Sequence, residues 1–439
     1  MQAAGPLTDR SHQHLPGKTA VALFERRVGT RGLPMTRRST TLWVIVLYAI
    51  SGLPFGIVYD TIPVYLRLQG MSLKDIGLTN LVQLAWALKV LWGPLVERFG
   101  TPRLWVIGCL CALAAVHLGL AAFAWHPVQG QAWLPLLLVC LAVAAATQDI
   151  AIDGLFVRIM RASDDDGFGN ALRVSAYRLS MVLGSGGAVM LVGFLGWPWV
   201  FVAAAGVFLA FTVPMALAPA DAAESSSHVP FAEWVSTMQR WLNQPGALGT
   251  MVFILFYRTG DAAVAAMSKP FWVESKVTPF AIGFVNSSVG MLFTVLGALL
   301  GGWFTTRFGV FRALWALGLA QASGSLAYAA VAYFELSHEA LYVAGTAEHF
   351  THGLATAALM TFLTRLCEPK AAATQFAALT AVMALMRAGA GAASGVIAHA
   401  YGFAAFFCLT FAVALPSFAL LPWVRRRLRA TAVETMAPH

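Results

Sequence analysis

The stretch QAWLPLLLVCLAVAAATQDIAIDGLF, Gln131 to Phe156, decides the fold. Its first eighteen residues, up to Gln148, carry no charge. A helix needs about 20 apolar residues to cross the hydrocarbon of a bilayer, so the run reads as a membrane span. Asp149 and Asp153 then appear one helical turn apart, on one face of the same helix. Ionised side chains inside a bilayer are costly and face a wet cavity or a partner. The stretch therefore predicts a membrane helix with one functional face.

The rest of the chain agrees. Of its 439 residues 59% are apolar and 11% charged, with a mean hydropathy of +0.71. A soluble domain carries about 25% charged residues. So apolar a chain cannot cover itself with polar surface, and an all-α polytopic membrane protein is expected. The five cysteines, Cys109, Cys111, Cys140, Cys367 and Cys408, have no metal-ligand spacing and read as small apolar fillers. No phosphate-binding GxxxxGK[ST] loop is present, which argues against an ATP-driven pump. The net charge of +9 is explained by positive loops on one side of a membrane rather than by nucleic acid.

Twelve spans are predicted, near 41–66, 74–96, 103–125, 131–160, 170–195 and 197–218, and near 246–270, 277–303, 312–334, 340–364, 373–400 and 403–423. Residues 1–40 read as a polar arm, with a surface helix around VALFERRV as the alternative, and 424–439 as a basic tail. The 219–245 segment, with an amphipathic PFAEWVSTMQRWL, separates bundles at 41–218 and 246–423. Lys and Arg number twenty-one in the arm, the tail and the even-numbered connections with their flanking helix ends; the opposite face carries Arg67, Lys74, Lys269 and Lys276. That bias places both termini in the cytoplasm.

The halves repeat. GPLVERFGTPR, Gly93 to Arg103, and GGWFTTRFGVFR, Gly301 to Arg312, each follow the second span of their half and share RFG with a further Arg. The plan of twelve spans with these two loops resembles the major facilitator superfamily. SGLPFGIVYDTIPVYLRLQGMSLKDIGL, LAWALKVLWGPLVERFG and QDIAIDGLFV resemble its AmpG-like branch. That branch comprises muropeptide permeases, siderophore importers of the RhtX/FptX type and acetyl-CoA transporters. The resemblance covers about residues 45 to 423. It implies two six-helix bundles that rock about a central cavity, with Glu97, Arg98, Arg103, Arg307 and Arg312 latching a cytoplasmic gate. Muropeptide permeases of the branch often carry two further C-terminal spans, and the compact plan here looks more like the siderophore importers.

The intramembrane charges are the candidate site. Asp149 and Asp153 on span 4, with Arg178 on span 5, read either as a proton-coupling site or as a fixed ion-pair lock; the family resemblance also implies a lock between these spans. Asp60 and Lys89 lie in spans 1 and 2, and Lys89 needs an acid partner or an anionic ligand. Arg258 and Asp261, three apart on span 7, either pair with each other or face the cavity, where Arg258 would grip a carboxylate or phosphate. Arg387 on span 11 has no acid within four residues and is expected in the cavity. Glu348 and His352 share a face of span 10. They are candidates for proton transfer, but EHFTH matches no zinc-hydrolase motif. Tyr59, Trp86, Tyr177, Tyr257 and Trp272 are candidate ligand-stacking residues.

The expected function is secondary active import across a bacterial inner membrane by alternating access, coupled to protons. The protein is expected to act as a monomer among membrane lipids, without cofactor, metal or nucleic acid. No nucleophile–base constellation favours an enzyme. The small-molecule cargo, anionic or iron-chelating, is expected to be a siderophore or its iron complex. The alternatives are an anhydromuropeptide, or a scramblase or sensor on the same fold.

Overall fold

The computed structural model describes residues 37–126, 132–161, 166–217, 236, 239, 247–366 and 372–436. VALFERRV and nearly all of the PFAEWVSTMQRWL segment lie outside the described residues. No strand occurs among those described. The helices are α1 (37–68), α2 (73–98), α3 (Pro102–Trp125), α4 (Leu134–Arg161), α5 (166–195), α6 (Trp197–Ala216), α7 (Ala247–Glu274), α8 (279–308), α9 (Val310–Phe334), α10 (His338–Leu366), α11 (372–401) and α12 (403–436).

Nine described stretches are long and apolar enough to cross a membrane. One of them, Val382–Trp423, turns at Gly402, whose φ of +76° ends one helix and starts the next, and so holds two spans. Two further helices complete the twelve. α2 is interrupted by 3-10 turns at Asn80–Gln83 and Lys89–Leu91, and α10 carries Glu348, His349 and His352 in mid-length. Both depart from the uniform apolar pattern where they carry titratable side chains that pair with others, Lys89 in α2 and Glu348 in α10.

The repeat is visible as geometry. Gly100 and Gly309 take φ of +76° and +86°, a left-handed turn that glycine makes without a Cβ clash. Beside them the Arg98 and Arg307 guanidinium groups lie 5.7 and 5.8 Å from the Phe99 and Phe308 rings. Ser72 and Thr278 cap the starts of α2 and α8 by accepting from the N–H three residues on, at 3.1 and 3.3 Å.

Within the first half α1 packs on α5 and α4, and α3 on α4 and α6; within the second α7 packs on the α11–α12 pair, and α10 on α8 and α9. The halves meet through α1–α7, α2–α11 and α5–α8. Exchanging the halves converts the second of these contacts into the third, as a pseudo-twofold requires. Small residues permit the approach: a Cβ on Gly77 would sit 2.6 Å from the Gly395 Cα, and one on Gly186 2.6 Å from the Gly283 carbonyl oxygen. Three π-helical turns gather at this seam, Ile57–Thr61 in α1, Leu183–Gly187 in α5 and Ile282–Val289 in α8. The Thr61 hydroxyl donates to the Gly184 carbonyl at 2.8 Å, tying the first to the second.

Candidate functional site

One stripe of α1 organises the interior of the first half. Tyr48, Ser51, Phe55 and Tyr59 recur at three- and four-residue spacing and so share a face. The Tyr48 hydroxyl donates to Asp153 Oδ1 at 2.7 Å, and the Ser51 hydroxyl to Asp149 Oδ1 at 2.8 Å. Each acid also has its own cation. Lys89 of α2 pairs with Asp149. Arg173 of α5 lies 3.0 Å from Asp153, with its guanidinium 4.9 Å from the Tyr48 ring and 5.1 Å from that of Phe156.

Arg178, the expected partner, is exposed and pairs with neither acid. The reason is helical phase. α4 and α5 run antiparallel, and 153 and 173 lie within one residue of the same distance from the midpoint of their connection. Five residues further on, Arg178 is rotated about 140° around the helix and points away. The acid partner that Lys89 needs is Asp149.

Above this pair lies an aromatic cluster. The Phe55 and Tyr59 rings stack at 4.0 Å. Trp86 of α2 meets Phe55 edge-on at 5.4 Å and Tyr59 at 6.4 Å, and Tyr177 of α5 is 6.1 Å from Phe55. All four are half-buried. Arg387 of α11 reaches across the seam and places its guanidinium 5.9 Å from the Tyr59 ring. One residue further along α1, Asp60 pairs with Lys269 of α7 at 2.7 Å, and near the end of both helices Arg67 pairs with Glu274. Lys269 was expected at a helix end. It lies instead inside α7, which runs one turn beyond the predicted boundary, and is 8% exposed.

The second half holds a separate polar cluster. Arg258 and Asp261 pair within α7 at 3.0 Å, with side chains 7% and 5% exposed. Arg258 also donates to the Thr356 hydroxyl at 3.3 Å. Gln321 of α9 donates to Asp261 Oδ1 at 2.5 Å, and His352 Nδ1 lies 2.7 Å from the same oxygen. An ionised Asp261 only accepts, so the His352 Nδ1 is the donor. Glu348 completes a triad with Asp261 and His352 whose polar atoms lie within 4.8 Å of one another. A cavity of about 20 Å³, the size of one water, is lined by Tyr257, Asp261, Gln321, Ser325, Glu348 and Ser417 among others. The Arg258 guanidinium on Asp261 repels a metal cation at this triad.

Two expected stacking residues belong to the packing instead. Tyr257 is 5% exposed, and its hydroxyl donates to the Leu314 carbonyl at 3.4 Å. Trp272 is fully buried, and its indole donates to the Tyr328 hydroxyl at 3.2 Å. At the repeated loops, Arg103 donates to the Ala216 carbonyl and ties α3 to the end of α6. Arg312 lies in the first turn of α9. The side chain of Glu97 lies outside the described residues. Sequence reasoning missed Tyr48, Phe55, Arg173, Lys269 and Gln321. The i, i+4 stripe through Ser51 and Lys269's place in the apolar AAMSKPFW were available signals; Gln321 had none.

A model of the Major Facilitator Superfamily matches residues 44–259. The anhydromuropeptide permease of Escherichia coli (strain K12) is 29% identical over 408 residues, 89% of this chain and 81% of that protein. Among solved structures, a bacterial homologue of the human lysosomal transporter Spinster, inward-facing and unoccupied, aligns with a TM-score of 0.70 at 15% identity, over 91% of this chain and 99% of that one. Nucleoside transporter NupG aligns with a TM-score of 0.66 at 13% identity, over 91% and 100%. At those identities the two structures speak for the fold alone. The siderophore expectation, which rested on the number of spans, gains no support, since the curated relative is named for anhydromuropeptides.

Proposed function

Because the chain belongs to the major facilitator superfamily, in its AmpG-like branch, we propose that this membrane transporter is a permease for anhydromuropeptides. The observation that carries the reading is the relative of that name, matched along nearly the whole chain. The aromatic cluster agrees in chemistry: a sugar–peptide offers ring faces and carboxylates, and the cluster offers aromatic rings with the Arg387 guanidinium beside them. The bacterial inner membrane is inferred from the permease relative, and cytoplasmic termini from the bias of the basic loops. On that orientation the seam closes the outer face, and the arrangement is an inward-facing state.

Coupling to protons is part of the proposal, and the second-half triad is its site. Asp149 and Asp153 each hold a cation of their own, which makes them a lock between α2, α4 and α5. The one ion-pairing contact of Glu348 among the described residues is His349, at 3.9 Å. A buried acid so weakly paired, beside a cavity and the Asp261–His352 bond, is suited to take up and release a proton. The groups that face it are Arg258 and Asp261 of α7, Gln321 of α9 and His349 and His352 of α10, with Lys269 nearby on α7.

The test is uptake of anhydromuropeptide into proteoliposomes under an imposed pH gradient. Wild-type protein accumulates it; Glu348→Gln loses gradient-driven accumulation by at least about tenfold and keeps exchange without a gradient. Asp153→Asn keeps accumulation. Absence of wild-type uptake defeats the cargo reading. Full accumulation by Glu348→Gln moves the proton elsewhere.

A further inference from the structure

Arg387 differs from the other cations of the interior. Lys89, Arg173, Arg258 and Lys269 each have a carboxylate within 4.0 Å, at Asp149, Asp153, Asp261 and Asp60. Arg387 has none among the described residues. It is half-buried in the middle of α11, and its guanidinium lies over the face of Tyr59 in the opposite half. A guanidinium held inside a bilayer without an anion is costly, and its planar fork matches a carboxylate with two parallel hydrogen bonds.

The surface beside it is equally particular. Phe55, Tyr59, Trp86 and Tyr177 come from three helices and form one cluster that is half-buried rather than sealed. A packing core would bury these rings completely, as it does Tyr65, Tyr328 and Trp272. Lys89, one turn beyond Trp86, is neutralised by Asp149, so the free positive charge sits at one end of the platform only.

We infer that this seam is a binding subsite for a pyranose ring bearing a carboxylate, with the ring face on Trp86 and the Phe55–Tyr59 stack and the carboxylate on Arg387. The choice of a sugar over another ring acid rests on the permease reading; the aromatic platform and the cation do not. In a muropeptide the lactyl carboxyl of the muramyl ring is the amide link to the peptide, so the subsite takes a muramyl sugar whose lactyl carboxyl is free. The platform belongs to one half of the molecule and the cation to the other. An occupant therefore bridges the halves and takes over the Arg387–Tyr59 contact, so it favours the arrangement in which α1 and α11 stay close.

The experiment uses the full chain in detergent and three small probes: N-acetylmuramic acid, with ring and carboxylate; N-acetylglucosamine, with the ring alone; and lactate, with the carboxylate alone. Calorimetry or thermal shift reads the binding. N-acetylmuramic acid binds at least about tenfold more tightly than either part. Arg387→Gln and Trp86→Ala each weaken it about tenfold, and Arg387→Lys keeps part of the affinity for the acid. Should Arg387→Gln or Trp86→Ala not fold, Arg387→Lys and Trp86→Leu carry the same comparison. Equal binding of the two sugars, unchanged affinity in the variants, or no binding to the wild-type protein each overturns the subsite. A protein that binds N-acetylmuramic acid with this pattern yet fails to take up anhydromuropeptide keeps the subsite and loses the permease reading.

Discussion

Lys89 and Asp149 are worth more to each other than either is to the protein alone. Their side chains are 28% and 20% exposed, so truncating one leaves a partly buried charge with no counterion. For a buried pair that costs about 3–5 kcal/mol; with this access to water we expect about 2 kcal/mol. Lys89→Met should lower thermal stability in detergent, and Lys89→Met with Asp149→Leu should recover most of it. In the same measurement Arg173→Ala destabilises while Arg178→Ala stays within about 0.5 kcal/mol. The reverse order would contradict the assignment of Arg173 to Asp153. That two acids were present on one face of α4 could be read from QDIAID, because a charge in an apolar run is conspicuous. Their partners could not, because partner choice depends on the rotation of α5 and α2 about their own axes. Hydropathy does not record that rotation when the neighbouring residues are a mixture of small and apolar types.

Helices were legible for a similar reason and their irregularities were not. Length and hydropathy alone place α3, α6 and α9, and RFG marks both the α2–α3 and α8–α9 turns. The π-helical turns left no such mark: IVYDT, LGSGG and IGFVNSSV contain nothing that the surrounding helix excludes. Tertiary contact selects them, since all three lie where the halves meet. An inserted residue bends a helix and re-aims its neighbours; in α1 those neighbours include Tyr59 and Asp60. The close approach of α5 and α8 depends on Gly186 and Gly283, whose added Cβ atoms would meet each other's backbone. Gly283→Leu therefore overpacks the closed seam by about 1–3 kcal/mol. It leaves each half's own packing intact, apart from the seam. In a cysteine-free background Ser287→Cys, buried in the closed arrangement at 8% exposure, should react with a water-soluble thiol reagent several-fold faster once Gly283→Leu is added. An unchanged rate would show that the seam has room we do not see.

At the scale of the whole molecule, two ion pairs cross the seam between α1 and α7 and hold the halves together on one face. Their worth differs. Arg67 and Glu274 are 19% and 49% exposed, and a pair so open to water contributes about 0–1 kcal/mol. The side chains of Asp60 and Lys269 are 22% and 9% exposed. Removing the Asp60 charge strands Lys269 in the closed seam, whereas opening the seam gives its ammonium water. Asp60→Asn therefore destabilises the closed arrangement selectively, and each 1.4 kcal/mol of that difference changes the ratio of open to closed tenfold. Spin labels on Gln69 and Lys276, in the turns after α1 and α7, report this face; labels on Thr101 and Thr306 report the other. We expect Asp60→Asn to raise the population of long Gln69–Lys276 distances about tenfold and to shorten Thr101–Thr306 in the same molecules. Glu274→Gln should move both by less than about fivefold. Rocking requires the two label pairs to change in opposite senses. If Asp60→Asn lengthens one pair and leaves the other fixed, the α1–α7 bridge is a local latch on its own face. If neither pair moves, the seam is held by its glycine contacts and the ion pair is incidental to it.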